Sequence, residues 1–162
     1  MQYTCSYSSP LGEMLIASDG SAVTGLWFIG QKYFGSTLEA EYAEKALPVF
    51  GQTVRWLDDY FQGNVPMEMP PVSFNSSSFR IRVWKLLMEI PYGHTVTYGE
   101  IARTLEKQTG RRICAQAVGV AVGHNPVSII VPCHRVIGSN GLTGYAGGLD
   151  KKLALLRLEG VN

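Results

Sequence analysis

Apolar and polar residues alternate through Tyr3, Cys5 and Tyr7, the period-two pattern of a half-buried strand. Ser9-Pro10-Leu11-Gly12 follows as a turn. Two apolar runs, Met14–Ser18 and Ala22–Phe28, flank Asp19-Gly20, which is a hairpin signal. Thr37–Ala46 reads as a helix with Pro48 as its stop. Phe50, Val54, Leu57 and Phe61 then recur at helical spacing and predict a second helix ending near Gly63. Nothing in this part carries chemistry, and its expected role is that of a scaffold.

Asn64–Ser73, with Pro66, Pro70 and Pro71, reads as an extended connector. It divides the chain into an N-terminal domain, 1–73, and a C-terminal domain, 74–162. Ser78 is the expected cap of a helix bearing Phe79, Val83, Leu86 and Leu87, stopped at Pro91-Tyr92-Gly93. Thr97-Tyr98-Gly99-Glu100 is a capping box, with Val96 and Ile101 placed to staple it. After Gly110 a second helix is predicted to open with Arg111-Arg112 and to run through Ala115, Ala117, Gly119 and Ala121 to Gly123. Such a pair is compatible with a helix-turn-helix. The small side chains of the second helix fit either tight helix packing or close approach to a nucleic-acid groove, since glycine within a helix costs about 1 kcal/mol. Ser128–Val131 is expected to be a buried strand, and Leu149, Leu153 and Leu156 to line a last helix. The pattern thus gives an α/β N-terminal domain with a small antiparallel sheet and helices, then a mainly α C-terminal domain.

Charge sharpens this division. The whole chain is nearly neutral at +1, but residues 1–73 carry three basic against eight acidic side chains and residues 74–162 eleven against five. A basic second half fits a polyanionic partner, or else a chance excess of surface charge. Three cysteines without a CxxC pair exclude a disulfide framework and a Cys-rich zinc fold. Together with a start that lacks a basic and apolar leader, they lead us to expect a cytoplasmic protein. The longest uncharged run, Ile113–His134, is broken by Gln116, His124, Asn125, Pro126 and Ser128, so no membrane association is expected.

The chemistry concentrates at Pro132-Cys133-His134-Arg135. A thiol flanked by an imidazole and a guanidinium has neighbours that favour the thiolate, which is the nucleophilic form. The same residues also suit an inert buried thiol beside a packed histidine. Glu159, at the end of the last helix, faces the negative end of the helix dipole and so calls for a cationic or N–H partner. His134 is a candidate, which would complete Cys133–His134–Glu159; the other reading is an exposed surface glutamate. Gly144-Tyr145-Ala146-Gly147-Gly148 could wall a pocket or form a plain turn. Cys114, His124, Cys133 and His134 have the spacing of no compact zinc site, and no metal or cofactor is expected.

Ile130-Val131-Pro132-Cys133-His134-Arg135-Val136-Ile137-Gly138 resembles the active-site motif of the O6-alkylguanine-DNA alkyltransferases. The resemblance covers most of 74–162, including Ile90-Pro91-Tyr92-Gly93, Thr97-Tyr98-Gly99-Glu100, Ala117-Val118-Gly119, Tyr145-Ala146-Gly147-Gly148 and Leu158-Glu159-Gly160. The N-terminal part is similar more loosely to that family's ribonuclease H-like α/β domain. What the resemblance implies is direct-reversal DNA repair by a monomer without an obligate protein partner. Double-stranded DNA would bind through its minor groove, the damaged base would flip out, and the alkyl group on guanine O6, or on O4 of an alkylthymine, would pass irreversibly to Cys133. His134 would be the base, acting through a water, with Glu159 orienting it and Asn125 bracing the turn. Tyr98 would donate to guanine N3. The Cys133 and Val136 carbonyls, the Ala146 N–H and Tyr145 would surround the base. Arg111, Arg112, Gln116, Ala117, Gly119 and Arg135 would meet DNA, which turns the reading of the thin helix towards groove entry. Gln116 departs from the family pattern, which often holds an arginine there. Competing readings are a damage-binding relative without transfer, a helix-turn-helix regulator and a Cys–His hydrolase.

Overall fold

A computed structural model describes residues 1–161 as two compact units, Met1–Asn75 with Pro126–Ser128, and Ser76–Asn125 with the chain from Ile129 onward. In the first unit β1 (Gln2–Ser9), β2 (Gly12–Ser18) and β3 (Val23–Phe28) form an antiparallel meander. The turns at Ser9–Gly12 and at Asp19-Gly20 connect them where the sequence places turns, and Asp19 Oδ1 accepts from the Ser21 and Ala22 N–H groups. One face buries Met14, Ile16, Leu26 and Phe28. Against it packs α1 (Pro48–Phe61), which buries Phe50, Trp56, Leu57 and Tyr60.

The region between β3 and α1 departs from expectation. Thr37–Ala46 is not a helix; Tyr42–Glu44 forms β4, parallel to β1, so the sheet is mixed with order β3-β2-β1-β4. Its Glu, Ala and Lys residues are good helix formers but carry no apolar stripe, and all three β4 residues are exposed. With nothing to bury, backbone pairing to β1 decides the outcome. Pro48 opens α1 rather than ending a helix before it, at a position where its missing N–H costs nothing.

The second unit begins with α2 (Ser78–Leu87), capped by the Ser77 side chain, one residue before the expected Ser78. α3 (Tyr98–Thr109) shows both halves of the capping box and ends at Gly110 in the left-handed conformation. α4 (Ala115–Gly123) starts later than expected, so Arg111 and Arg112 lie in the turn before it, a turn pinned by the Ile113 N–H on Glu106. The helix-turn-helix pair is therefore α3 and α4. Trp84 of α2 donates from Nε1 to the Ala121 carbonyl and locks α2 onto α4.

Ser128–Val131 is not a strand. Only Val127 makes a bridge, to Leu26 within the first unit, and the next residues turn. Ile129 sits at φ +70, a strained conformation for a β-branched residue. Cys133–Arg135 then form one 3-10 turn, followed by β6 (Val136–Ile137), which pairs in parallel with β5 (Val96–Thr97). The chain ends in α5 (Leu149–Leu158). Among the described residues no helix is long and apolar enough to cross a membrane, and no group of three or more His, Cys, Asp or Glu side chains could hold a metal.

Candidate active site

Two local devices deliver Cys133. Asn125, buried just past α4, donates from Nδ2 to the Val131 carbonyl at 2.8 Å and closes the intervening loop. The Cys133 N–H then bonds the same carbonyl, also at 2.8 Å. The Asn125 amide therefore holds the turn that carries the thiol.

Glu159 organises what lies behind the thiol. His134 donates from Nε2 to its Oε2 at 2.6 Å, Arg135 donates from Nε to Oε1 at 2.8 Å and from Nη2 to Oε2 at 3.1 Å, and the Gly93 N–H donates to Oε1 at 2.9 Å. The carboxylate at the helix end thus has the cationic and N–H partners that its dipole position calls for. Burial would raise this carboxyl, but the hydrogen bonds from His134 and Arg135 prevail and take it down to about 2. Gly93 at φ +79 suits this contact, because a Cβ there would stand 3.2 Å from the Glu159 carbonyl oxygen.

An ionised carboxylate only accepts, so the proton of His134 resides on Nε2 and Nδ1 is the acceptor nitrogen. Burial lowers the imidazole below its ordinary value, more than the neighbouring Glu159 raises it. His134 is accordingly neutral near pH 7, as a general base requires.

Arg135 is placed differently from the DNA-facing position expected of it. It is buried, with its guanidinium on Glu159 and its Nη1 donating to the Ile90 carbonyl at 2.7 Å. Nor do His134 and Arg135 supply the charge that favours a thiolate, since both turn to Glu159. Burial pushes the Cys133 thiol up, and the groups opposing that are the Asn125 amide, the Lys152 ammonium and the Tyr145 hydroxyl. The resting thiol is therefore protonated at neutral pH.

Lys152 escaped the sequence reading. Its side chain is fully buried, and Nζ donates to the Val136 carbonyl at 2.6 Å and to the Gly144 carbonyl at 3.3 Å. The available signal was its spacing, because Lys152 falls on the stripe that Leu155, Leu156 and Glu159 bury. A lysine at such a position requires acceptors in the interior.

The other residues singled out from the sequence differ in exposure. Tyr98, Tyr145 and Ala146 are half-buried, and Val136 is buried. The Tyr98 hydroxyl is 3.0 Å from Thr143 Oγ1. On α4, Gln116 is exposed while Ala117 and Gly119 are half-buried; a Cβ on Gly119 would meet the Tyr98 ring at 3.8 Å. Arg111 and Arg112 are exposed.

Comparison with known proteins covers nearly the whole chain. Residues 78–161 match the family "6-O-methylguanine DNA methyltransferase, DNA binding domain", and residues 2–70 the family "6-O-methylguanine DNA methyltransferase, ribonuclease-like domain". The chain is 45% identical to the methylated-DNA–protein-cysteine methyltransferase of Mycobacterium bovis, over 93% of this chain and 88% of that one. It is 42% identical to the protein of the same name from Methanosarcina acetivorans, with 98% of each covered. The crystal structure of Mycobacterium tuberculosis O6-methylguanine methyltransferase superposes with a TM-score of 0.83 at 42% identity, covering 98% and 93% of the two chains. A structure of the Mycobacterium tuberculosis protein in complex with DNA gives 0.82 at 41% identity, covering 98% and 91%.

Proposed function

The chain belongs to the 6-O-methylguanine DNA methyltransferase family, and from that membership we infer how its residues divide the work of direct-reversal DNA repair. It is a methylated-DNA–protein-cysteine methyltransferase that binds DNA, and each molecule acts once because the alkyl group stays on the protein. Cys133 is the acceptor. A buried thiol whose pKa is raised needs a base at the moment of reaction, and neutral His134, held by Glu159, supplies one. The His134–Glu159 contact at 2.6 Å is the observation that carries this assignment.

The Cys133 proton passes to His134 Nδ1 through an intervening water. The sulfur lone pair attacks the alkyl carbon, the carbon–O6 bond breaks, and its electron pair enters the purine. Tyr98 passes its proton to N3, so the base leaves as neutral guanine and a thioether remains on Cys133; the phenolate on Tyr98 balances the imidazolium on His134, and proton return through solvent restores both. An O4-alkylthymine would follow the same displacement at O4. Val136, Tyr145 and Ala146 wall the slot for the flipped base, whose unstacking costs a few kcal/mol. Asn125 and Arg135 are positioning residues, the first for the turn, the second for Glu159.

Residues 1–73 are the scaffold and residues 74–162 the DNA-binding and acceptor part. The thin α4 enters the minor groove, with Gln116 filling the gap left by the flipped base and Arg111 and Arg112 on phosphates. The chain acts as a monomer, and a reduced thiol acting on DNA suits the cytoplasm. The test is to incubate the protein with a duplex carrying O6-methylguanine and to weigh the intact protein and its peptides. Stoichiometric gain of one methylene on Cys133 is expected, and Cys133→Ser should bind without gaining mass. Transfer by Cys133→Ser would refute the assignment, and binding by the unmodified protein without any gain would favour a damage-binding role.

A further inference from the structure

The parallel pairing of Val96 with Val136 and of Thr97 with Ile137 brings the start of α3, whose first residue is Tyr98, alongside the end of β6 and the chain that follows it. Beyond Gly138 the chain folds back. The Gly138 N–H donates to the Gly141 carbonyl at 2.9 Å, the Gly141 N–H returns the bond at 3.1 Å, and Thr143 is brought back over Gly138. The Thr143 methyl occupies the space that a side chain at 138 would need, since a Cβ there would lie 2.6 Å from Thr143 Cγ2. With the methyl seated on Gly138, the hydroxyl is turned to Tyr98, 3.0 Å from its phenolic oxygen. The Tyr98 ring itself lies against Gly119 of α4, so the phenol is held from two sides.

We propose that Thr143 is a positioning residue for the transfer, one whose hydroxyl donates to the Tyr98 oxygen while Tyr98 donates to the leaving purine. The proposal rests on the role assigned to Tyr98 above. Either hydroxyl can be the donor of the 3.0 Å bond. Once the Tyr98 proton is directed at N3, only one direction remains, and Thr143 must donate. That donation fixes the rotation of the phenol O–H towards the base. It also stabilises negative charge on the phenolic oxygen as the proton shifts to N3, where a hydrogen bond to a charged acceptor is stronger than one between neutral groups. No other reactant is required. The C–O6 electron pair goes to the purine, the proton moves from Tyr98 towards N3, and Thr143 keeps its own proton.

The test is a double-mutant cycle on the single-turnover rate constant for methyl transfer from a saturating O6-methylguanine duplex. Thr143→Val, which keeps the methyl and the shape, should transfer about tenfold more slowly, with its Kd for the duplex unchanged within about twofold. Thr143→Ser, which keeps only the hydroxyl, should recover most of the rate. In a Tyr98→Phe background, Thr143→Val should cost nothing further. Three results would each overturn the proposal: a wild-type rate for Thr143→Val, a Thr143→Ser as slow as Thr143→Val, or an undiminished loss on top of Tyr98→Phe. The third would assign the effect to packing against Gly138. A wild-type rate for Tyr98→Phe alone would instead overturn the Tyr98 assignment, and this proposal with it.

Discussion

Glu159 shows how much rests on one side chain. Its two oxygens take four hydrogen bonds, from His134, twice from Arg135 and from the Gly93 N–H. Glu159→Gln would leave the buried Arg135 guanidinium without its counter-charge. Removing one partner of a buried pair costs about 3–5 kcal/mol, and urea titration at pH 7 should show a loss of that order. His134 adds a pH dependence of defined sign. Its folded pKa lies below the ordinary value near 6.5, so the unfolded chain takes up the proton first. This contribution to stability is full above pH 6.5 and declines as the pH falls through the window below it. Glu159 acts lower, being stabilising above its ordinary value near 4.5 and losing that contribution as pH falls towards about 2. Thermal melts should show Tm falling from pH 7 to pH 5, and His134→Gln should flatten that part of the curve.

Among the elements, α4 poses a conflict between stability and access. Gly119 lies in a helix where alanine would be more stable by about 1 kcal/mol, and the space at its Cβ is ordinary, 3.8 Å from the Tyr98 ring. Packing therefore does not demand glycine. If α4 enters a groove, Gly119→Ala should raise Tm while weakening the Kd for duplex DNA. Equal affinity with a raised Tm would remove groove entry as the reason for the glycine. The capping box of α3 was legible because its partners are three residues apart and no distant contact is involved. The supposed helix at Thr37–Ala46 was misread because propensity there had no buried face behind it. The supposed strand at Ser128–Val131 was misread because β-branched residues fit any buried path, and Asn125 and a left-handed Ile129 impose a turn instead.

At the scale of the molecule the two units differ in charge. With the buried Arg135, Lys152 and Glu159 set aside, the second unit still carries nine basic against four acidic residues, and the first carries three against eight. Binding should therefore be strongly salt-dependent, through release of ions condensed on DNA. Arg111 and Arg112 are the exposed cations next to α4. Arg112→Ala should reduce the slope of log K against log salt by about 1, measured with undamaged duplex, and should leave Cys133 methylation stoichiometric at low salt.

The Pro-Cys-His-Arg motif, the capping box, the sheet meander and the charge division are all written within short stretches of chain, or in sums over it. The sequence by itself determined them, because they depend on neighbours along the backbone. Which way adjacent side chains turn is another matter. His134 and Arg135 both leave the thiol for Glu159, Lys152 takes up the opposing role from inside α5, and Thr143 reaches Tyr98 across a fold-back at Gly138. Those pairings join residues far apart in the chain, and only the packed interior selects them, because burial makes an unpaired charge or hydroxyl too costly to leave where local spacing alone would put it.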